Sequence, residues 1–173
     1  MKTLSAIIIL ALTASCAPIR VNYDYDKTTN FNTYKTYNYY ADMNTGLSEL
    51  DTKRFLSALD KQLQAKGITL SDTPDFFIDI KSTEYHAAQR SNVGIGIGGG
   101  GRHVGGGVSI GVPVGQSKME RSITIDFVDE GKKQLFWQAV SEAAYNPDTT
   151  PENREAQFNA IAAKVLEQYP PKP

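Results

Sequence analysis

The chain of 173 residues carries a single cysteine, two histidines and one tryptophan. One thiol excludes a disulfide within the chain. One thiol and two imidazoles also exclude a zinc site of four cysteines or of paired cysteines and histidines. Charge of one sign is equally scarce: 18 Lys and Arg stand against 19 Asp and Glu. No surplus of clustered basic residues exists to hold phosphates, so nucleic acid is not an expected partner. Long apolar runs are missing too. The longest, Ala6 to Leu12, is shorter than the roughly 20 residues that span a bilayer.

That short run has a context. Lys2 precedes it, the small residues Thr13, Ala14 and Ser15 follow, and the lone cysteine, Cys16, comes next. A basic start, an apolar stretch and small residues before a cut describe a secretory signal. With Cys16 at the junction, the segment resembles the lipobox of bacterial lipoproteins, in which the cysteine is acylated and becomes the new N-terminus. Thr13 stands where that pattern usually has Leu. The expectation is a signal peptide at 1–15 and a lipidation site at Cys16. Acyl chains contribute about 0.8 kcal/mol per buried CH2, so two or more hold a protein stably on a membrane. Ala17 follows where an Asp commonly means retention at the inner membrane, so the resemblance implies the outer membrane, facing the periplasm.

Residues 16–173 read as a single domain with an insert. Val21, Tyr23 and Tyr25 alternate with Asn22, Asp24 and Asp26, and Tyr37 to Tyr40 form a second strand-like run. Ser48 with Asp51 is a helix cap. From Glu49 to Lys66, Phe55, Leu56, Leu59 and Leu63 share one helical face, and Gly67 supplies the stop. Beyond Pro74, Phe76, Ile78 and Ile80 fall at every second position, between Phe77, Asp79 and Lys81. Ile123, Ile125 and Phe127 do the same and lead through Asp129-Glu130-Gly131-Lys132 into a strand from Leu135 to Val140, an expected hairpin. Thr149-Thr150-Pro151-Glu152 opens a last helix, with Phe158, Ile161, Ala162, Val165 and then Tyr169 on its apolar side. The order ββα-β-(Gly-rich insert)-ββ-α predicts a two-layer α+β domain: a largely antiparallel sheet with two helices on one face.

Eleven of fourteen glycines lie between Gly94 and Gly115. Within 93–115, two stretches, 93–97 and 108–114, place Val and Ile at every second position. The segment reads either as a loop outside the core or as a hairpin extending its flanking strands. As a hairpin it is a candidate surface for a protein partner or for self-association, while contact with the membrane is disfavoured because a lone hairpin leaves unpaired edges that lipid cannot satisfy. Gly96-x-Gly98-x-x-Gly101 formally matches a dinucleotide motif, but no Gly-Lys-Ser/Thr follows to bind phosphate.

Chemistry is thinly represented. Gly107-Val-Ser109-Ile-Gly111 matches a nucleophile elbow in spelling only, because Pro113 and Gly115 oppose the helix that must follow. His86 and His103 are the available imidazole bases. The carboxylate pairs Asp24/Asp26, Asp75/Asp79 and Asp126/Asp129 are the residues a glycosidase would need. An envelope hydrolase with Ser109 as first candidate is therefore the alternative to a non-enzymatic module. No catalytic, cofactor-binding or metal-binding residue is assigned, and no cofactor is expected.

Phe31-Asn-Thr-Tyr34-Lys-Thr-Tyr37, Pro74-Asp75-Phe76, Ile123-Thr-Ile-Asp126 with Asp129, Leu135-Phe-Trp137, and Ala162-Ala-Lys164 with Tyr169-Pro170 together resemble domain of unknown function 4136, over roughly Ile19 to Pro170. Gln138-Ala139 stand where that family commonly has a Gly. The resemblance implies a small lipid-anchored bacterial envelope protein with an α+β domain. It implies no activity.

Overall fold

A computed structural model of the chain describes residues 18–87 and 119–172. The signal segment, Cys16, His103, Ser109 and the whole of 93–115 lie outside the described residues. Eight elements follow in order: β1 (Arg20–Tyr25), β2 (Thr36–Tyr39), α1 (Glu49–Ala65), β3 (Thr69–Leu70), β4 (Phe76–His86), β5 (Met119–Asp129), β6 (Leu135–Ala144) and α2 (Pro151–Leu166). A single 3-10 turn, Phe31–Thr33, joins β1 to β2.

The six strands form one open sheet in the order β1-β6-β5-β4-β2-β3. Its centre is antiparallel: β4 pairs with β5 from Phe76↔Asp129 to His86↔Met119, and β5 pairs with β6 as the expected hairpin. β2 runs parallel to both β4 and β3, so α1 is the crossover from one parallel strand to its neighbour. The two-residue β3 has too short a pattern to be read in sequence.

Alternation decides which face is covered. Phe76, Ile78, Ile80, Ile123, Ile125, Phe127, Trp137 and Ala139 are buried on one face, and both helices pack against it. Phe55, Ala58, Leu59 and Leu63 of α1 meet Phe158, Ile161, Ala162 and Val165 of α2, with the Phe55 and Phe158 rings 5.4 Å apart. The predicted α+β architecture, with two helices on one face of a largely antiparallel sheet, is the architecture found.

The helix ends follow their local chemistry. Ser48 Oγ accepts from the Asp51 amide at 3.2 Å, and Thr150 Oγ1 accepts from the Asn153 amide at 3.3 Å. At the end of α1, Gly67 has φ +78, its amide donates to the Gln64 carbonyl and that of Ile68 to the Leu63 carbonyl. These bonds close a Schellman turn. Asp60 of α1 is half-buried against β2. Its carboxylate accepts from the hydroxyls of Tyr37 at 2.6 Å and Tyr39 at 2.7 Å, tying the helix to β2.

β4 and β5 are joined through residues 88–118, which leave from His86 and return at Met119, directly opposite each other. This end of the sheet also holds the start of β1, where Arg20 faces Glu142, and the start of both helices. The opposite end holds the β5–β6 turn, the 3-10 turn and the tail that follows α2.

Candidate interaction site

Among the described residues, carboxylates of different candidate pairs come together: Asp79 faces Asp126 across β4 and β5, and Asp75 and Asp129 line one shallow hollow with Tyr34. His86 is exposed at the last position of β4. Each of the six paired aspartates has a local task. Asp24 Oδ1 accepts from the Tyr25 amide at 2.9 Å, and Asp26 accepts from the amide and hydroxyl of Thr28. Asp75 Oδ2 takes the amides of Lys35 and Thr36, both at 2.8 Å, and the Thr36 hydroxyl. Asp79 pairs with Lys81, Asp126 accepts from Gln138, and Asp129 accepts from the Tyr34 hydroxyl at 2.7 Å and the Lys132 amide at 2.6 Å.

These bonds set the charge state. Partial burial pushes Asp75 and Asp129 upward, but the donors aimed at each outweigh it and hold both carboxyls below their usual range. A proton-donating acid in glycoside cleavage needs the opposite shift. The Tyr34 hydroxyl moves up in response, through burial first and the bond to Asp129 second. Among the described residues no group of three or more His, Cys, Asp or Glu is placed to hold a metal ion.

What the fold leaves open is at the end opposite His86. A β-bulge at Phe127/Val128 sets Phe127 against Trp137 and Val128 against Leu135, so Phe136 is an extra residue in β6. Both Phe136 and Trp137 then turn into the core, while Leu135 remains 51% exposed. Phe136 stacks on Tyr34 with ring centres 4.1 Å apart, and Trp137 packs against Phe127 at 4.5 Å and Tyr169 at 5.2 Å. Phe31, from the 3-10 turn, covers this layer with its edge toward Tyr169 and Tyr25.

Three shallow concavities surround that layer and share Tyr25. One of about 280 Å³ lies between Asp24–Asp26 and Leu135–Gln138. Another of about 430 Å³ is walled by Tyr23, Trp137 and the tail from Glu167 to Lys172. The third, about 590 Å³, runs from Lys27, Asn30 and Phe31 to Pro170 and Pro171. Tyr25 itself is 38% exposed. β1 is an edge strand, and among the described residues its outer side is unpaired. Aromatic and proline walls with a few amides and carboxylates beside a free strand edge can receive an extended chain by main-chain pairing, with side chains seated in the hollows.

Two hydroxyls in this layer contrast. Tyr34 donates to Asp129, whereas Tyr169 is buried with no hydrogen-bond partner among the described residues, as is the Trp137 Nε1. Tyr34→Phe leaves a carboxylate without its strongest side-chain donor and is expected to cost about 1.5–3 kcal/mol of unfolding free energy. Tyr169→Phe is expected to be neutral or slightly stabilising. Paired urea titrations check both; equal losses would contradict the assigned bonding.

Sequence reasoning missed a second cluster, at the other end. Asp51, read as a cap acid, is 2% exposed and accepts from Arg54 at 2.8 Å and Arg154 at 2.9 Å. Arg121 Nη1 lies 3.8 Å from the same carboxylate, while its Nη2 donates to Glu84 at 2.6 Å and its guanidinium lies 3.8 Å from the centre of the Tyr145 ring. The five charges come from four elements, α1, α2, β5 and β4. Only their spacing along separate elements, invisible before the topology is known, brings them together.

An open, mixed six-stranded sheet with two helices on one face defines a two-layer α+β domain. The family model for a domain of unknown function, DUF4136, matches residues 21–171, and the chain belongs to that family. A DUF4136 family protein from Bacteroides thetaiotaomicron is similar in structure, with a TM-score of 0.51 and 15% identity over 88% of this chain and 96% of that one. The PelC dodecamer from Paraburkholderia phytofirmans gives a TM-score of 0.51 at 10% identity, over 86% and 95% of the two chains. A PDZ domain protein from Parabacteroides distasonis gives 0.57 at 14% identity; the match covers 99% of this chain but 40% of that one. At these identities the likeness is one of fold. No curated protein matches the chain in sequence.

Proposed function

We propose that this is a lipid-anchored protein of the bacterial cell envelope, acylated on Cys16 and held at the outer membrane facing the periplasm. It acts as a structural or interaction module with no catalysis of its own. The observation that carries the reading is the position of the lone cysteine, directly behind a signal-like segment whose apolar run is too short to span. Among the described residues no helix is long and apolar enough to cross a membrane.

Two features support the interaction part. The paired aspartates are committed to turns, strands and tyrosines, and the open surface is an aromatic hollow beside an unpaired strand edge. The contact is therefore with protein. PelC, of similar fold, assembles as a dodecamer, so a second copy of this chain is the first partner to test. The segment 93–115 is the other candidate contact element.

Cys16→Ser is the test of the anchor. The variant is expected to move from the membrane to the soluble fraction and to lose palmitate labelling. Unchanged fractionation would contradict the reading.

A further inference from the structure

The two edges of the sheet are built differently. β3 is two residues long, whereas β1 runs six residues in unbroken register with β6. The Asp26 amide donates to the Phe136 carbonyl, and alternation from there turns the N–H and C=O groups of Tyr23 and Val21 outward, away from β6. Among the described residues no strand pairs with them. An edge of this length is ordinarily blunted by a proline, a lysine or a bulge, and β1 has none of the three. The Tyr25 amide is taken by Asp24 Oδ1, which closes the free edge at that end.

The side chains of this edge are sorted by face. Ile19, Val21 and Tyr23 pack against the core beneath the helices, and the Tyr23 hydroxyl donates to the Lys164 carbonyl of α2. Arg20 and Asp24 lie on the uncovered face, where Arg20 bonds Glu120 and approaches Glu142, and Asp24 stands opposite Gln138. One charge of each sign, four residues apart, makes the edge complementary to a reversed copy of itself.

We propose that a second copy of the chain pairs antiparallel along β1, about a two-fold axis normal to the sheet that sets Asn22 against Asn22. Such an axis keeps both helix layers on one side, so opposed residues share a face and only every second register is allowed. Centred on Asn22, Arg20 of each copy faces Asp24 of the other, Val21 faces Tyr23 with main-chain hydrogen bonds between them, and Ile19 comes against Tyr25 at the mouth of the aromatic hollow. Centred on Tyr23, Arg20 would meet Asp26, whose carboxylate already holds the amide and hydroxyl of Thr28. Centred on Val21, Asp24 would meet Pro18 and find no cation. The pairing rests on the reading of this domain as an interaction module, and adds the contact surface and its register.

Asn22→Cys, Asp24→Cys and Arg20→Cys are made in the full chain, and whole cells are treated with copper phenanthroline. Asn22 is exposed, so its replacement leaves the fold intact. Opposed as a non-hydrogen-bonded pair, its two copies have Cα atoms about 4.5 Å apart, within disulfide reach. Two copies of position 24 stand about 13 Å apart, beyond it. Asn22→Cys is expected to give a disulfide dimer in several-fold greater yield than Asp24→Cys, and coexpressed Asp24→Cys and Arg20→Cys a mixed dimer. Equal yields at 22 and 24 would mean chance collision and would overturn the pairing. Monomeric Asn22→Cys, in cells where a photo-crosslinker at Tyr25 still captures a protein, would overturn the pairing and leave the interaction reading standing. No adduct by either route would overturn both.

Discussion

Asp51→Ala is expected to lower the unfolding free energy by about 3–5 kcal/mol, because it removes the one carboxylate that two buried-side guanidiniums bond and a third approaches. The penalty comes from what remains. Arg121, 8% exposed on its side chain, keeps Glu84 as its single bonded partner among the described residues, and Arg54 and Arg154 lose their bonds to Asp51. Arg154 also donates to the carbonyl of Pro147, so the loop ahead of α2 loosens with it. Glu49, two residues earlier and paired with Lys53 in solvent, is the control: Glu49→Ala should leave the urea midpoint where it was. Similar midpoints for the two variants would mean that the Asp51 cluster is a solvated surface feature.

Phe136→Ala is the second large effect, with an expected loss of about 3–5 kcal/mol. Its ring stacks on Tyr34 and meets Phe76 edge-on at 5.6 Å, and 3% of the residue is exposed. The neighbouring Leu135→Ala should cost little, since that side chain faces solvent. The contrast reads the bulge directly. A strand without it would put Leu135 and Trp137 on the same face and Phe136 on the other, and the order of the two losses would invert.

Most of the fold was legible because periodicity alone reports it. Phe55, Leu59 and Leu63 recur at helical spacing and are buried; Ile78 and Ile80, and Ile123 and Ile125, alternate and are buried; Ser48, Gly67 and Thr150 mark helix ends by side-chain or φ chemistry. Long-range choices left no such trace. The parallel pairing of β2 with β4 depends on where α1 delivers the chain, and the bulge that turns Phe136 inward breaks the alternation on which strand reading relies. The Asp51 cluster draws one residue from each of several elements. The hollow around Tyr25 was invisible for the same reason: its walls come from β1, the 3-10 turn, β6 and the tail beyond α2, and the sequence showed only an excess of tyrosine near its start.

The carboxylates teach a narrower lesson. Asp75 caps the start of β2 through two amides and a hydroxyl, and Asp129 fixes Tyr34 and the β5–β6 turn. Pairs of acids two to four residues apart looked like possible acid–base partners, yet the donors aimed at Asp75 and Asp129 hold both carboxyls below their usual range.

The central claim is that this domain binds another chain through the hollow beside β1. A photo-crosslinking residue placed at Tyr25 in living cells, compared with one at Leu50 on the exposed start of α1, tests it most directly. The account predicts a discrete adduct from position 25, at multiples of the monomer mass if the partner is a second copy, and none from position 50. No adduct from position 25, or the same adducts from both, would contradict it.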